Sequence, residues 1–286
     1  GVQQVNHIQL DQKLREFLFE DLGSGDITSS CFPSSTVRRG WFTARIPGIV
    51  AGLPFAQRIF ALLGAGQWTA LIQDGQAVAA GTRLAYIDGP GELLLQGERV
   101  ALNLLQRLSG IATITGELVK IASLHGSTRI TDTRKTTPGL RWFEKYAVRI
   151  GGGYNHRWGL YDTVMLKDNH IALAGGIGNA VAEVRKHIGH TLKIEVEVES
   201  FPQLQQALDA GAEIIMLDNM TPAQVAEAVA IVAGRAITEA SGSINKSNLS
   251  EYAATGVDYI SIGAITHSAT ALDIGFDLDQ PKQLNR

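Results

Sequence analysis

The segment Lys193-Ile194-Glu195-Val196-Glu197-Val198-Glu199 alternates apolar residues with glutamates. This alternation is typical of a β-strand, in which successive side chains point to opposite faces, so we expect the three glutamates to share one face. An amphipathic helical pattern over 202–210 follows directly. A strand joined to a helix in this way is the building unit of parallel α/β folds.

The same unit recurs through the second half of the chain, at intervals typical of βα repeats. The predicted strands lie at 129–131, 163–166, 193–198, 214–217, 236–238 and 259–262. The predicted helices between them lie at 180–188, 202–210, 222–233 and 246–255. Because strands this apolar must be covered on both faces, a barrel or a doubly wound sheet is favoured over a sandwich.

The first hundred residues follow another pattern, which indicates a small α+β domain. The predicted elements are a helix at 10–22, strands at 37–46, 67–72 and 83–87, and a helix that begins at Pro54. Two further helices, at 98–108 and 111–124, are predicted to lead into the second half, separated by Ser109-Gly110.

The composition is that of a globular chain with no global preference for nucleic acid or membrane. The 286 residues are 45% hydrophobic and 19% charged, and 25 basic against 28 acidic residues give a net charge of -3. The single cysteine, Cys31, excludes a disulfide framework and a Cys-rich metal site, and it fits a reducing compartment. The polar start, 1–11, is unlike a signal peptide. We therefore expect a cytoplasmic protein.

Polar side chains follow every predicted strand of the second half, at its carboxyl end. They lie at 132–135, 167–170, 197–199, 218–219, 239–243 and 263–267. In βα folds this end of the sheet carries the chemistry. Six polar endings together predict a binding site at one rim.

The charges at this rim sort by sign. The cations are Arg134, Lys135, His156, Arg157 and Lys167, and Gly151-Gly152-Gly153 just before His156 allows close approach of a ligand. Such a set favours a ligand with several negative charges, since guanidinium groups bind carboxylate and phosphate through paired hydrogen bonds. Glu197 and Asp218 are oxygen ligands of the kind that hold Mg²⁺ beside phosphates. In an alternative interpretation, the same acids and cations form a layer of salt bridges inside a barrel.

Two strand-to-helix turns present backbone N–H groups that could bind phosphate. They are Ser241-Gly242-Ser243 and Gly263-Ala264. The late strands of βα barrels commonly hold a phosphate group at this position.

The motifs that carry these residues span nearly the whole chain. They are Glu20 to Thr28, Glu98-Arg99, Leu108 to Thr113, Asp132-Thr133-Arg134-Lys135-Thr136, Gly151-Gly152-Gly153, Asn155-His156-Arg157, Lys167-Asp168-Asn169-His170, Glu195 to Glu199, Leu217-Asp218-Asn219, Glu239-Ala240-Ser241-Gly242, Gly263-Ala264 and Thr266-His267-Ser268. In this order they closely resemble the nicotinate-nucleotide pyrophosphorylases, a family also called the quinolinate phosphoribosyltransferases. One position departs from the family's pattern, because Ser243 stands where members often carry a second glycine.

The resemblance implies an α/β fold of the type II phosphoribosyltransferases. An N-terminal α/β sandwich domain would occupy 1–108, and a C-terminal, incomplete, seven-stranded β/α barrel would occupy 109–272, with the tail 273–286 packing back on the first domain. The implied reaction transfers the phosphoribosyl group of 5-phosphoribosyl-1-pyrophosphate (PRPP) to the ring nitrogen of quinolinate with Mg²⁺. Pyrophosphate and CO₂ leave, and nicotinate mononucleotide is formed for NAD synthesis.

The resemblance also implies a role for each site residue. The quinolinate ligands correspond to Arg99, Arg134, His156, Arg157 and Lys167. The PRPP ligands correspond to Lys135, Glu197, Asp218, Ser241, Gly242, Ser243, Gly263 and His267. Lys135, Glu197 and Asp218 have the catalytic roles, and the two acids hold the metal directly or through water. Arg99 is donated by a neighbouring subunit, which implies a homodimer or a larger homo-oligomer.

Two alternatives remain at this point. A Schiff-base aldolase on a βα barrel would use Lys135 or Lys167 as its amine nucleophile. A relative of the same fold would use another acceptor base in place of quinolinate.

Overall fold

The structure, a computed structural model, describes residues 7–31 and 36–279. In chain order its helices are α1 His7–Leu22, α2 Ile27–Ser30, α3 Leu53–Leu62, α4 Gly91–Ser123, α5 Arg141–Ile150, α6 Asp168–Ala174, α7 Ile177–His187, α8 Phe201–Asp209, α9 Pro222–Val232, α10 Leu249–Ala253 and α11 Ala264–His267. Its strands are β1 Val37–Ala44, β2 Gly48–Ile49, β3 Gln67–Ala70, β4 Ala77–Val78, β5 Arg83–Pro90, β6 Arg129–Thr131, β7 Val164–Leu166, β8 Ile194–Val198, β9 Ile214–Asp218, β10 Ile237–Ser241, β11 Tyr259–Ser261 and β12 Ile274–Leu278. None of these helices is both long and apolar enough to cross a membrane.

The chain forms two compact units. The first contains the residues up to Ile114, a short piece at 149–151, and the residues from Ala269 onward. The second contains 115–148 and 152–268. The expected boundary between 108 and 109 thus falls inside α4, a few residues before the observed one.

The first unit is built on an antiparallel sheet in the order β12-β1-β5-β3. The inner side chains of this sheet, such as Phe42 and Ile87, are fully buried. In α3, Pro54 occupies the first turn and Phe55, Ile59 and Phe60 are buried. Strand β12 belongs to the C-terminal tail and pairs with β1 from Ala44↔Ile274 to Gly40↔Leu278. Residues 280–286 of that tail lie outside the described residues.

The prediction of two helices around Ser109-Gly110 is wrong, because α4 runs through both residues without a break. Glycine ends many helices, but here it permits a close approach instead: a Cβ on Gly110 would lie 2.1 Å from the carbonyl oxygen of Thr270. Ser109 is fully buried and its hydroxyl accepts a hydrogen bond from the N–H of Ala51 at 3.0 Å. Both residues therefore serve tertiary packing.

The second unit is a parallel six-stranded sheet with helices, in the order β6-β11-β10-β9-β8-β7. A parallel bridge between Thr131 of β6 and Tyr154 replaces the seventh strand that the resemblance implies. Strand β7 forms one edge of the sheet, and β6 with its bridge to Tyr154 forms the other. These two edges do not pair within the described residues, as expected for a barrel that does not close. The apolar residues of the strands, such as Val196 and Ile215, have no exposed surface, as expected for a sheet covered on both faces.

Most predicted strand bounds agree with the structure within two residues, but β5 and β10 each end three residues later than predicted. Strand β5 continues to Pro90 instead of 87, and the difference at β10 affects the site. Strand β10 continues to Ser241, whereas the prediction ended it at Thr238. Glu239 therefore lies within the strand and is buried, rather than in the loop that follows. Helices α5 and α6 were not predicted.

Candidate active site

A cavity of about 630 Å³ lies at the carboxyl ends of the parallel strands of the second unit. Most residues predicted for the site line it: Arg134, Lys135, His156, Arg157, Lys167, Glu197, Asp218, Ser241, Gly242, Ser243 and Gly263. Of the described residues, Arg99 and His267 were predicted but do not line it. Arg99 belongs to α4 in the first unit. His267 lies behind Gly263, where an added Cβ would come 3.3 Å from the histidine Cδ2.

A buried ion pair holds the two loops that carry the cations. Asp132 follows β6 and Lys145 lies in α5; both side chains are fully buried, and Lys145 Nζ donates to Asp132 Oδ1 at 2.5 Å. The same carboxylate accepts from Asn155 Nδ2 at 2.7 Å and from the backbone N–H of His156 at 2.8 Å. Burial raises the pKa of Asp132 and lowers that of Lys145, and their mutual attraction opposes both shifts. The pair therefore ties the loop after β6 to the loop at 155–157.

The cationic side of the cavity carries positive charge that the protein leaves uncompensated. Neither the Arg134 guanidinium nor the Lys135 ammonium has an ion-pair partner in the part of the chain that the structure describes. Burial lowers the pKa of the Arg157 guanidinium, and the nearby charge of Arg134 lowers it further, against the attraction of Glu195. Two guanidinium groups that repel each other in a partly dry cavity favour a ligand with more than one negative charge.

The acidic side of the cavity carries an excess of negative charge. Burial raises the pKa of the Asp218 carboxyl, and the charges of Glu197 and Glu199 raise it further. Lys167 Nζ donates to Glu197 Oε2 at 2.9 Å, and Asn219 Nδ2 donates to Asp218 Oδ2 at 2.7 Å. Glu197 and Asp218 line the cavity with Lys167 as their ammonium neighbour, and their carboxylate oxygens are of the kind that a divalent cation such as Mg²⁺ takes as ligands. The alternative of a salt-bridge layer thus reduces to the Lys167–Glu197 pair within the described cavity lining.

His156 uses both of its ring nitrogens within the protein. Nδ1 accepts the backbone N–H of Arg157 at 2.8 Å. Nε2 lies 3.2 Å from Glu195 Oε2 and 3.5 Å from Glu239 Oε1. One ligand atom from each of these three residues lies within 4.8 Å of the others, so they could also hold a metal ion. The cavity therefore meets the ring of His156 rather than a free N–H group.

The turn after β10 has two consecutive residues with positive φ, of which only the first is a glycine. Gly242 adopts φ 96°, and a Cβ there would come 2.2 Å from Asn219 Oδ1, so only glycine fits. Ser243 adopts φ 55°, in the left-handed region that glycine enters without strain. The departure from the family's second glycine therefore preserves the turn at a cost of about 1 kcal/mol in backbone strain.

Sequence reasoning missed Lys145 and assigned no role to Glu195 or Glu239. Lys145 lies in α5, which was not predicted, and its neighbours Phe143 and Tyr146 are buried. A lysine within a buried segment is a usable signal, since buried lysines are almost always paired. The two glutamates lie on inward faces of β8 and β10, and the period-two alternation of Glu195 with Glu197 already indicated such a face.

Comparisons with known proteins agree with this geometry. Residues 26–109 match the family described as "Quinolinate phosphoribosyl transferase, N-terminal domain", and 111–277 match its C-terminal domain. A Bacillus subtilis protein named "Probable nicotinate-nucleotide pyrophosphorylase [carboxylating]" is 46% identical over 96% of this chain and 95% of its own length. The nicotinate-nucleotide pyrophosphorylase [carboxylating] of Mycobacterium leprae is 42% identical over 93% of this chain and 95% of its own.

A solved structure gives the same answer for the fold. The nicotinate-nucleotide pyrophosphorylase from Francisella tularensis superposes with a TM-score of 0.93 at 39% identity, covering 97% of this chain and 99% of its own. The resemblance deduced from the motifs is therefore confirmed over nearly the whole length. The chain belongs to the quinolinate phosphoribosyltransferase family.

Proposed function

We propose that this chain transfers the phosphoribosyl group of PRPP to the ring nitrogen of quinolinate and releases pyrophosphate and CO₂, forming nicotinate mononucleotide for NAD synthesis. The observation that carries the assignment to this cavity is the separation of charge across it. Arg134 and Lys135, which have no ion-pair partner among the described residues, lie with Arg157 on one side, and the carboxylates of Glu197 and Asp218 lie on the other. A planar dianion and a metal-bound sugar diphosphate would each meet the charge that binds it.

Quinolinate binds on the cationic side. Arg134 and Arg157 would pair with its two adjacent carboxylates, and Lys167 would add a third positive charge. His156 would contact the ring face or edge, because its two nitrogens are already occupied by Arg157 and the glutamates. This arrangement fixes the ring nitrogen relative to the sugar.

PRPP binds on the acidic side and at the turns. Glu197 and Asp218 would stabilise the positive charge that develops on the ribose as pyrophosphate departs, and Lys135 would stabilise the leaving oxygens. The backbone N–H groups of the turns would hold the 5-phosphate. This last group comprises Ser241, Gly242, Ser243 and Gly263, with His267 behind them.

Mg²⁺ would be held by Glu197 and Asp218, directly or through water, and would supply charge neutralisation for the pyrophosphate. The excess of carboxylate charge at Asp218 supports this assignment.

Loss of CO₂ needs no organic cofactor. Once the ring nitrogen carries the ribose it is positively charged, and the bond between the neighbouring carbon and its carboxylate breaks with the electron pair remaining on that carbon. The adjacent cationic nitrogen stabilises the electron pair until a proton from water replaces CO₂. The protein contributes by holding the ring in place between Arg134 and Arg157.

Arg99 would reach the quinolinate site of a second copy of the chain, so the functional unit would be at least a homodimer. Mixing the Arg99→Ala and Arg134→Ala variants tests this arrangement, because one composite site of the mixed dimer keeps both residues. Recovery of activity in verified heterodimers is expected, and no recovery contradicts donation across subunits. The exposed single Cys31 supports a reducing, cytoplasmic location.

The activity is tested by incubating the protein with carboxyl-labelled quinolinate, PRPP and Mg²⁺ and measuring labelled CO₂ and the mononucleotide. Both products should appear in equal amounts and should disappear on addition of EDTA. Nicotinate in place of quinolinate tests the relative with another acceptor base. Borohydride trapping with a keto acid tests the aldolase, which the ion pair of Lys167 with Glu197 already disfavours. Absence of both products with quinolinate would refute the assignment.

A further inference from the structure

A cluster of one histidine and two glutamates lies directly beneath the cationic side of the cavity. Glu195 of β8 and Glu239 of β10 are 1% and 5% exposed, and both face the ring of His156. Glu239 Oε1 has no hydrogen-bond partner in the described residues, so it meets the ring through the 3.5 Å approach to Nε2 rather than through a hydrogen bond of normal length. A hydrogen bond from His156 Nε2 needs only one acceptor, so the second buried acid calls for an explanation.

The direction of the hydrogen bonds shows what the cluster holds. The backbone N–H of Arg157 donates to His156 Nδ1 at 2.8 Å, so Nδ1 has no room for a proton and the ring proton is on Nε2. Nε2–H therefore points to Glu195 Oε2 at 3.2 Å, and Glu239 Oε1 lies beside it at 3.5 Å from Nε2. Burial lowers the pKa of His156 and the glutamates raise it above its ordinary value, but a second proton would meet the Arg157 N–H. The ring is thus fixed from both sides.

Burial and neighbouring groups together set the pKa of Glu239. Burial raises the pKa of Glu239 to about 7, and the charge of Glu195 adds to this shift. The charge of Asp132 raises it further. Lys145 approaches the cluster from the side of α5 but is already paired with Asp132. Glu239 therefore carries a proton up to about neutral pH.

We propose that Glu239 is a positioning residue of the quinolinate site: together with Glu195 it holds the ring of His156, which fixes the backbone of Arg157 and so the guanidinium that binds the acid. The inference rests on the proposed function, because it concerns the same cavity. It assigns Glu239 no contact with substrate. Ionisation of Glu239 would add a negative charge next to His156, which lines the cavity, so the neutral form favours a dianion.

Two substitutions separate this role from general packing. Glu239→Gln keeps the volume and a carbonyl oxygen facing Nε2–H, so the KM for quinolinate should stay within about twofold at pH 6.5. Glu239→Ala removes one of the two supports of the ring, so this KM should rise by about tenfold or more while the KM for PRPP changes less than about twofold. Glu183→Gln, at an exposed position of α7, is the control substitution and should change neither KM value.

Three further measurements test the role of Glu239: a pH profile, a double-mutant cycle and a check of folding. In the wild type the KM for quinolinate should rise as the pH passes from 6 to 8 and Glu239 ionises, and in Glu239→Gln this part of the rise should disappear. In a double-mutant cycle, Glu239→Ala should add little to His156→Ala, because one acts through the other. Circular dichroism and thermal unfolding verify that each variant folds; if Glu239→Ala does not, the pH profile of Glu239→Gln still decides.

Different outcomes would refute the proposed function and the positioning role of Glu239. If the wild type produces no CO₂ from quinolinate, the proposed function fails. If the wild type is active but the two alanine effects add, or both KM values rise equally, or the pH dependence is unchanged in Glu239→Gln, the positioning role is refuted. Visible absorbance from stoichiometric Co²⁺ that Glu239→Gln abolishes would also refute it, since the cluster would then be a metal site.

Discussion

Replacing Lys145 with methionine should destabilise the protein strongly, although Lys145 lies outside the cavity lining that the structure describes. Methionine preserves most of the volume in α5 but leaves the Asp132 carboxylate fully buried without its counter-charge. Two hydrogen bonds to Asp132 remain, from Asn155 Nδ2 and from the N–H of His156. Breaking a buried ion pair from one side costs about 3–5 kcal/mol, because the remaining charge pays its desolvation without compensation.

Urea unfolding followed by circular dichroism measures this cost. With a denaturant dependence of about 3 kcal/mol per molar, which is the upper range for small proteins, the midpoint should fall by about 1 M or more. The double variant Asp132→Asn, Lys145→Met should recover part of the loss, because it removes the unpaired charge. Lys186→Met, in the exposed pair with Glu183, is the matched control and should change stability by less than about 1 kcal/mol. A Lys145→Met midpoint equal to that of the wild type would refute the idea that the pair anchors both loops.

Three other predictions concern the cavity. Lys135→Ala should lower kcat by about 100-fold or more while the unfolding midpoint changes little, since its ammonium has no ion-pair partner in the described ranges 7–31 and 36–279; unchanged turnover would remove it from the active site. Gly242→Ala should raise the KM for PRPP and lower stability, because its Cβ would come 2.2 Å from Asn219 Oδ1. Gly234→Ala, also at a positive φ of 76° but with nothing within 4 Å of the added Cβ and outside the cavity lining described, is the control and should leave the KM for PRPP unchanged. Glu239 binds its proton up to about pH 7 in the folded state but only to about pH 4.5 when unfolded, so the unfolding free energy should fall as the pH rises through this window. Relative to Glu239→Gln the loss should be about 3 kcal/mol, and parallel pH curves for the two proteins would contradict it.

The strands of the second unit could be predicted because each is a short, apolar, β-branched segment bounded by polar residues. The alternation around Val196 also predicts that Glu195 and Glu197 share one face. Helix α4 could not be predicted as one element, since Gly110 has the same local signature whether it ends a helix or admits a neighbouring chain. Only the position of Thr270, distant in sequence, distinguishes the two cases.

In the candidate site too, some residues could be predicted from the sequence and others could not. Residues that project from strand ends, such as Arg134 and Asp218, could be found from the sequence because the fold brings all strand ends to one rim. The supports beneath them could not: the pairing of Lys145 with Asp132 depends on a helix with no strong local signal, and the contact of Glu239 with His156 joins distant parts of the chain. The contribution of Arg99 depends on a second copy of the chain and stays a prediction.

The pairing of β12 with β1 constrains the order in which a ribosome-bound chain can fold. Residues 115–148 and 152–268 leave the ribosome before β12, so the catalytic unit can begin to assemble while the sheet of the first unit still lacks its edge strand. Until residues 274–278 emerge, β1 presents unpaired N–H and C=O groups along one side, which is the kind of edge that aggregates. Nonsense mutations or ribosome stalling shortly before residue 274 should therefore yield insoluble chains even though nearly every residue of the cavity has been synthesised.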